Sequence, residues 1–132
     1  MHANSRRLRV LVVDDNADTV QVLTLLAGLW GYDAHAALGG AEALAEASAF
    51  RPDVVLCDLA MPDIDGCTVA EKLRRQSENA GTMLVAVTSY GDDAHRRQAA
   101  RAGFHAHLVK PVEPRDLRRL LDLQASELAE RA

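Results

Sequence analysis

The chain has 132 residues, enough for one domain with a core of its own. Its composition, 48% hydrophobic and 26% charged, is that of a globular domain. A formal net charge of −4 gives no electrostatic case for general nucleic-acid or membrane-surface binding, and no apolar run is long enough to cross a bilayer.

Residues 1–7 read as an N-terminal tail without the apolar core of a secretory signal, so a cytoplasmic location is expected. The first apolar run covers about 8–13 and ends on Asp14-Asp15. Helical spacing follows over about 17–30, where Val22, Leu25, Leu26 and Leu29 suggest one buried stripe and Gly31 a stop. A weak run at 32–37 suggests an edge strand, and an Ala-rich helix at about 40–49 stops before Arg51-Pro52. The run at 53–57 ends on Asp58. A turn, Met61-Pro62-Asp63-Ile64-Asp65-Gly66, leads into a helix over about 66–77 with Val69 and Leu73 on one face. A strand at 83–87 precedes Thr88. The next helix opens on Asp92-Asp93, whose carboxylates suit a helix N-terminus, and stops at Gly103. A strand at 106–109 precedes Lys110. The last helix begins near Pro114 and runs to about 128, with Leu117, Leu120, Leu121 and Leu128 facing inward. The domain is thus expected over 8–128, with a short C-terminal tail at 129–132. Cys57 and Cys67 lack paired-motif spacing and read as buried, reduced thiols.

Five strand–helix alternations call for a parallel sheet with helices on both faces. The carboxyl ends of its strands then share one edge, where such folds bind ligands. Asp14, Asp15, Asp58, Thr88 and Lys110 all stand at those ends. Taken singly, each has an ordinary explanation: a helix cap for Asp14-Asp15, a turn carboxylate at Asp58, a strand end at Thr88, a solvated lysine at Lys110. Their joint placement reverses that preference. Two unit charges 4 Å apart repel by about 4 kcal/mol at an effective dielectric near 20, so the converging acids need a cation. Oxygen-only ligands and a phosphate partner favour Mg2+, with Asp15 and Asp58 ligating directly, Asp14 through water, and the Ala60 backbone carbonyl adding a ligand. Asp58 is then the expected nucleophile and phosphoacceptor, with Lys110 and the Thr88 hydroxyl each serving a phosphoryl oxygen.

These motifs, Val12-Val13-Asp14-Asp15-Asn16, Leu56-Cys57-Asp58 with its turn through Gly66, Val87-Thr88-Ser89-Tyr90 and Val109-Lys110-Pro111, resemble the receiver domain of two-component response regulators. The resemblance runs from about Arg9 to Leu123. It implies a doubly wound, flavodoxin-like, five-stranded sheet of order 2-1-3-4-5. It implies Mg2+-dependent phosphorylation of Asp58 by a sensor histidine kinase or histidine phosphotransfer protein, and a surface of helix four, strand five and helix five that downstream protein partners read. Tyr90, Arg96, Arg97, His107 and Arg118 are the exposed candidates there. Such a domain is not a conventional enzyme; it promotes its own phosphorylation and dephosphorylation. No nucleic-acid binding by the domain itself and no membrane insertion are expected, and the oligomeric state stays open.

One position departs from the family. Many receivers carry Tyr or Phe three residues before the lysine, coupled to the threonine; here it is His107, a candidate switch or merely a strand residue. Ala60 and Tyr90, each two residues past a site residue, are expected to flank the path of an attacking water. The last helix ends near the end of the chain, which leaves three readings: a single-domain regulator, a phosphate relay, or the receiver of a hybrid kinase. A metal-dependent phosphatase with an aspartyl-phosphate intermediate fits poorly, because its usual two aspartates, at the first strand, have one residue between them, whereas Asp14 and Asp15 are adjacent and the expected nucleophile is on the third strand. An interaction module without phosphorylation has no need of the full Asp58, Thr88 and Lys110 set.

Overall fold

A computed structural model describes residues 6–131. The expected alternation is present in full: β1 (Arg9–Val13), α1 (Ala17–Leu29), β2 (Asp33–Ala37), α2 (Gly40–Phe50), β3 (Val54–Cys57), α3 (Gly66–Arg75), β4 (Met83–Thr88), α4 (Asp93–Ala102), β5 (Ala106–Val109) and α5 (Pro114–Arg131), with a short 3-10 turn at Ser77–Asn79. All pairings are parallel, in the order β2-β1-β3-β4-β5, so β2 is an edge strand. The central strands are apolar without alternation because helices cover both faces, and Val10 to Val13 and Val54 to Cys57 are all buried.

Two apolar layers result. One sets Leu11, Val55 and Leu84 against Ala43, Val69, Leu73 and Ala99 of α2, α3 and α4. The other sets Val10, Val12, Leu56 and Val85 against Val20, Leu23 and Ala27 of α1 and Leu117 and Leu121 of α5. The second layer corrects the expected stripe of α1. Val22, Leu25 and Leu29 are 55%, 61% and 73% exposed, and the helix turns Val20, Leu23 and Ala27 inward instead. Both stripes have three- and four-residue steps, so spacing did not separate them; the slimmer Ala27 lets α1 approach the sheet.

The tail expected at 129–132 is also corrected. α5 continues through Arg131, because Leu128 still packs partly on the core and no helix breaker follows it. Residues 1–5 and 132, which hold the rest of the two expected tails, lie outside the described residues. Both cysteines are free thiols; Cys57 is buried as expected and Cys67 only partly so.

Candidate phosphoacceptor site

Strand register brings the acids together. Val13 pairs with Cys57, so the next residues, Asp14 and Asp58, leave the sheet side by side. The ladder extends one step further, with Asp58 N–H donating to Val13 O at 2.9 Å and Asp14 N–H to Ala37 O at 3.1 Å. On the other side Thr88 pairs with Val109, and Lys110 N–H donates to Thr88 O at 2.9 Å. The edge is therefore built by backbone hydrogen bonds before any side chain contributes.

Carboxylate oxygens of Asp14, Asp15 and Asp58 all lie within 4.8 Å of one another. Asp14 and Asp58 are buried, whereas Asp15 is exposed. Lys110 Nζ reaches across β3 and β4 to donate to Asp14 Oδ2 at 2.7 Å, and stands 3.7 Å from Asp58 Oδ2. Asp14 Oδ1 accepts the Asn16 N–H at 3.0 Å. The helix-cap explanation for Asp14-Asp15 fails, because Asn16 caps α1 and accepts from Asp18 N–H and Thr19 N–H. Burial, then the charge of Asp14, holds the Asp58 carboxyl above its usual range, with Lys110 and the Ala60 N–H opposing. Burial works against the Lys110 ammonium, yet its bond to Asp14 and the charge of Asp58 leave it raised.

The loops around the site are fastened by groups the sequence reading passed over. Asp63 accepts from Gly40 N–H and Ala41 N–H at 3.1 and 3.0 Å, so the turn after Asp58 caps α2. The signal was an acid inside a turn, but its partner lies 23 residues away. Those backbone donors, with that of Ile64, hold the Asp63 carboxyl down at about 2. Gly66 sits on the backbone of Asp58 and Leu59; a Cβ there would meet Leu59 Cα at 2.8 Å.

Thr88 is fully buried, and its Oγ1 accepts the Tyr90 N–H at 3.2 Å. His107 is half-buried rather than exposed, because its ring covers the loop after β4: Nε2 donates to Tyr90 O at 3.1 Å, and Nδ1 is buried without a partner. Arg96 Nε donates to Gly91 O at 2.9 Å, and the half-exposed Tyr90 ring stacks on His95 at 4.6 Å. Arg96, Arg97 and Arg118 are exposed as expected.

Comparison with known proteins covers nearly the whole fold. The family model "Response regulator receiver domain" matches residues 10–122. This chain belongs to that family. The chain is thus a receiver domain of the kind found in response regulators of two-component systems. An uncharacterized 14.6 kDa protein of Leptolyngbya boryana is 32% identical over 87% of this chain and 88% of its own length. The transcriptional regulatory protein PrrA of Mycobacterium leprae is 38% identical over 78% of this chain, but the match spans only 43% of that protein. Among solved structures, the chemotaxis protein CheY4 of Vibrio cholerae is similar, with a TM-score of 0.85 at 30% identity, covering 89% of this chain and 98% of that one. The receiver domain of the sensor histidine kinase PA1611 of Pseudomonas aeruginosa has a TM-score of 0.83 at 25% identity, covers 92% of this chain and 99% of that one, and carries magnesium in its active-site cleft. No helix among the described residues is long and apolar enough to cross a membrane.

Proposed function

We propose that this receiver is a phosphorylation switch, loaded at Asp58 by a phosphohistidine donor and read by a downstream protein. The observation that carries the reading is the meeting of Lys110 Nζ with Asp14 and Asp58 at 2.7 and 3.7 Å beside the buried Thr88. Phosphoryl transfer needs charge neutralised around the moving group, and these side chains supply part of it. The phosphorus–nitrogen bond of the donor breaks as an oxygen of Asp58 bonds to phosphorus, and the imidazole leaves with the electron pair. Lys110 turns from Asp14 to an oxygen of the new acyl phosphate. Water later attacks phosphorus and releases inorganic phosphate, restoring Asp58. The domain so promotes its own loading and unloading and is not a conventional enzyme.

The acids suit a divalent cation. Three carboxylates face one ammonium, and that leaves two negative charges at a partly buried edge. Asp15 and Asp58 would hold Mg2+ directly, Asp14 through water, and the Ala60 carbonyl would join them. Bound there, Mg2+ supplies charge neutralisation for the phosphoryl oxygens.

The donor has an apolar track to dock on. A groove of about 540 Å3 leads from Ser89 and Lys110 to Val22 and Leu26, and the exposed Leu25 and Leu29 continue it along α1. A sensor histidine kinase or a histidine phosphotransfer protein seated there would face Asp58. On the opposite flank, the Thr88 hydroxyl turns to donate to a phosphoryl oxygen, which pulls on the bond its Oγ1 accepts from the Tyr90 N–H, so the loop moves and His107 yields its bond to Tyr90 O. That makes His107 the switch residue of the α4, β5 and α5 surface offered to a downstream protein. A net charge of −4 argues against DNA as the direct ligand. A cytoplasmic site of action goes with this reading.

Incubation with acetyl phosphate and Mg2+ tests the reading by intact-protein mass spectrometry. A base-labile phosphoryl adduct is expected, absent in Asp58→Asn and absent with excess chelator. An adduct that survives Asp58→Asn, or none under any donor, overturns it.

A further inference from the structure

We propose that the cleft between α3 and α4 binds a small phosphate ester, at a site separate from the Asp58 edge. The cleft encloses about 480 Å3, within the range of small-molecule sites. Arg74 and Arg75 enter it from α3 and Arg101 from α4. Among the described residues none of these three guanidinium groups has an ion pair or donates a hydrogen bond. Glu71 is the one carboxylate among the described residues that lines the cleft, so the three arginines leave it with a positive balance.

A helix C-terminus favours basic residues, and that effect accounts for cations at the ends of α3 and α4. It does not by itself bring the two ends together around one cleft. The stem of the exposed Arg74 also bridges the two helices. It crosses Gly103, the left-handed residue that ends α4 (φ 116°), and a Cβ there would overlap Arg74 Cδ and come 2.9 Å from Nε. Gly103, having no Cβ, leaves room for that stem.

Planar guanidinium forks match the oxygens of a phosphate two at a time. Glu71 and Gln98 also line the cleft, and they suit the hydroxyl or amine groups of an attached organic part. The geometry thus points to an organic phosphate of about nucleotide size.

Backbone-amide NMR of the whole chain, without Mg2+ and at fixed ionic strength, tests this with three probes: adenosine 5′-monophosphate, adenosine and inorganic phosphate. The expected result is saturable shifts at residues 71–75 and 98–103 with the monophosphate, weaker binding of phosphate and none of adenosine. Arg74→Gln and Arg101→Gln should each weaken binding by about tenfold or more, the loss of a charge-assisted contact. Arg74→Lys should lose most of that affinity too, since the ammonium keeps the charge but not the fork. Shifts that do not saturate, that centre on Asp58 and Lys110, or that persist unchanged in the variants would overturn the proposal. So would equal binding of a poly-glutamate peptide.

Discussion

Replacing Asp58 with Asn should stabilise the Mg2+-free protein. The Asp58 side chain is 9% exposed, and its neighbours nearly cancel. At an effective dielectric near 20, Lys110 at 3.7 Å attracts it by about 4.5 kcal/mol. Asp14, within 4.8 Å, repels it by about 3.5 kcal/mol. Asp15 is exposed, so water screens it, and its repulsion falls to roughly 1 kcal/mol. What remains is the cost of burying an ionised carboxylate, the cause of the upward displacement of its pKa. Asn keeps the shape and removes that cost, for a gain on the order of 1–2 kcal/mol and a few degrees in Tm. The sign follows from the raised pKa. The penalty is absent at pH below the ordinary carboxylate range and full once pH passes the folded-state value, so the gap between variant and wild type widens as pH rises. Saturating Mg2+ should reverse the order, since a cation at a hundred times its Kd adds about 2.7 kcal/mol to a protein that binds it. Thermal melts with and without Mg2+ check both halves. An Asp58→Asn Tm at or below wild type without Mg2+, or equal Mg2+ gains in the two proteins, refutes the reasoning.

Lys110→Met should cost about 1–3 kcal/mol in urea unfolding without Mg2+, because Asp14, 3% exposed, loses its 2.7 Å partner; Mg2+ should restore part of the loss. Gly66→Ala should cost about 1–3 kcal/mol and slow acetyl-phosphate labelling together, since its new methyl group displaces the backbone of Asp58 and Leu59. In Asp63→Asn the acid limb of the stability profile should flatten: the lowered pKa, about 2, gives a contribution present above the usual carboxylate range and lost as pH falls toward that value. A profile unchanged between pH 4 and 2, followed by circular dichroism, would remove the capping role of Asp63.

Some of this protein was legible in its residues one stretch at a time. Asp92 opens α4 and Gly103 closes it with the left-handed geometry that glycine accepts at least cost. Pro114 begins α5. The apolar runs became strands, and their polar ends became one edge, because a parallel sheet lines up all its carboxyl termini. The role of His107 was less legible: its position relative to Lys110 was plain, but its bond to Tyr90 O depends on a loop 17 residues away. The cap of α2 by Asp63 escaped for the same reason.

Local sequence determined which segments are helix and strand and which residues stand at the reactive edge, since periodicity, caps and turns act over a few residues. Tertiary structure alone decided which stripe of α1 meets the sheet, that Lys110 spends its charge on Asp14 before Asp58, and that arginines from α3 and α4 share a cleft. Each of these is a choice between partners distant along the chain. Packing space and charge settle it only once the sheet has set the distances.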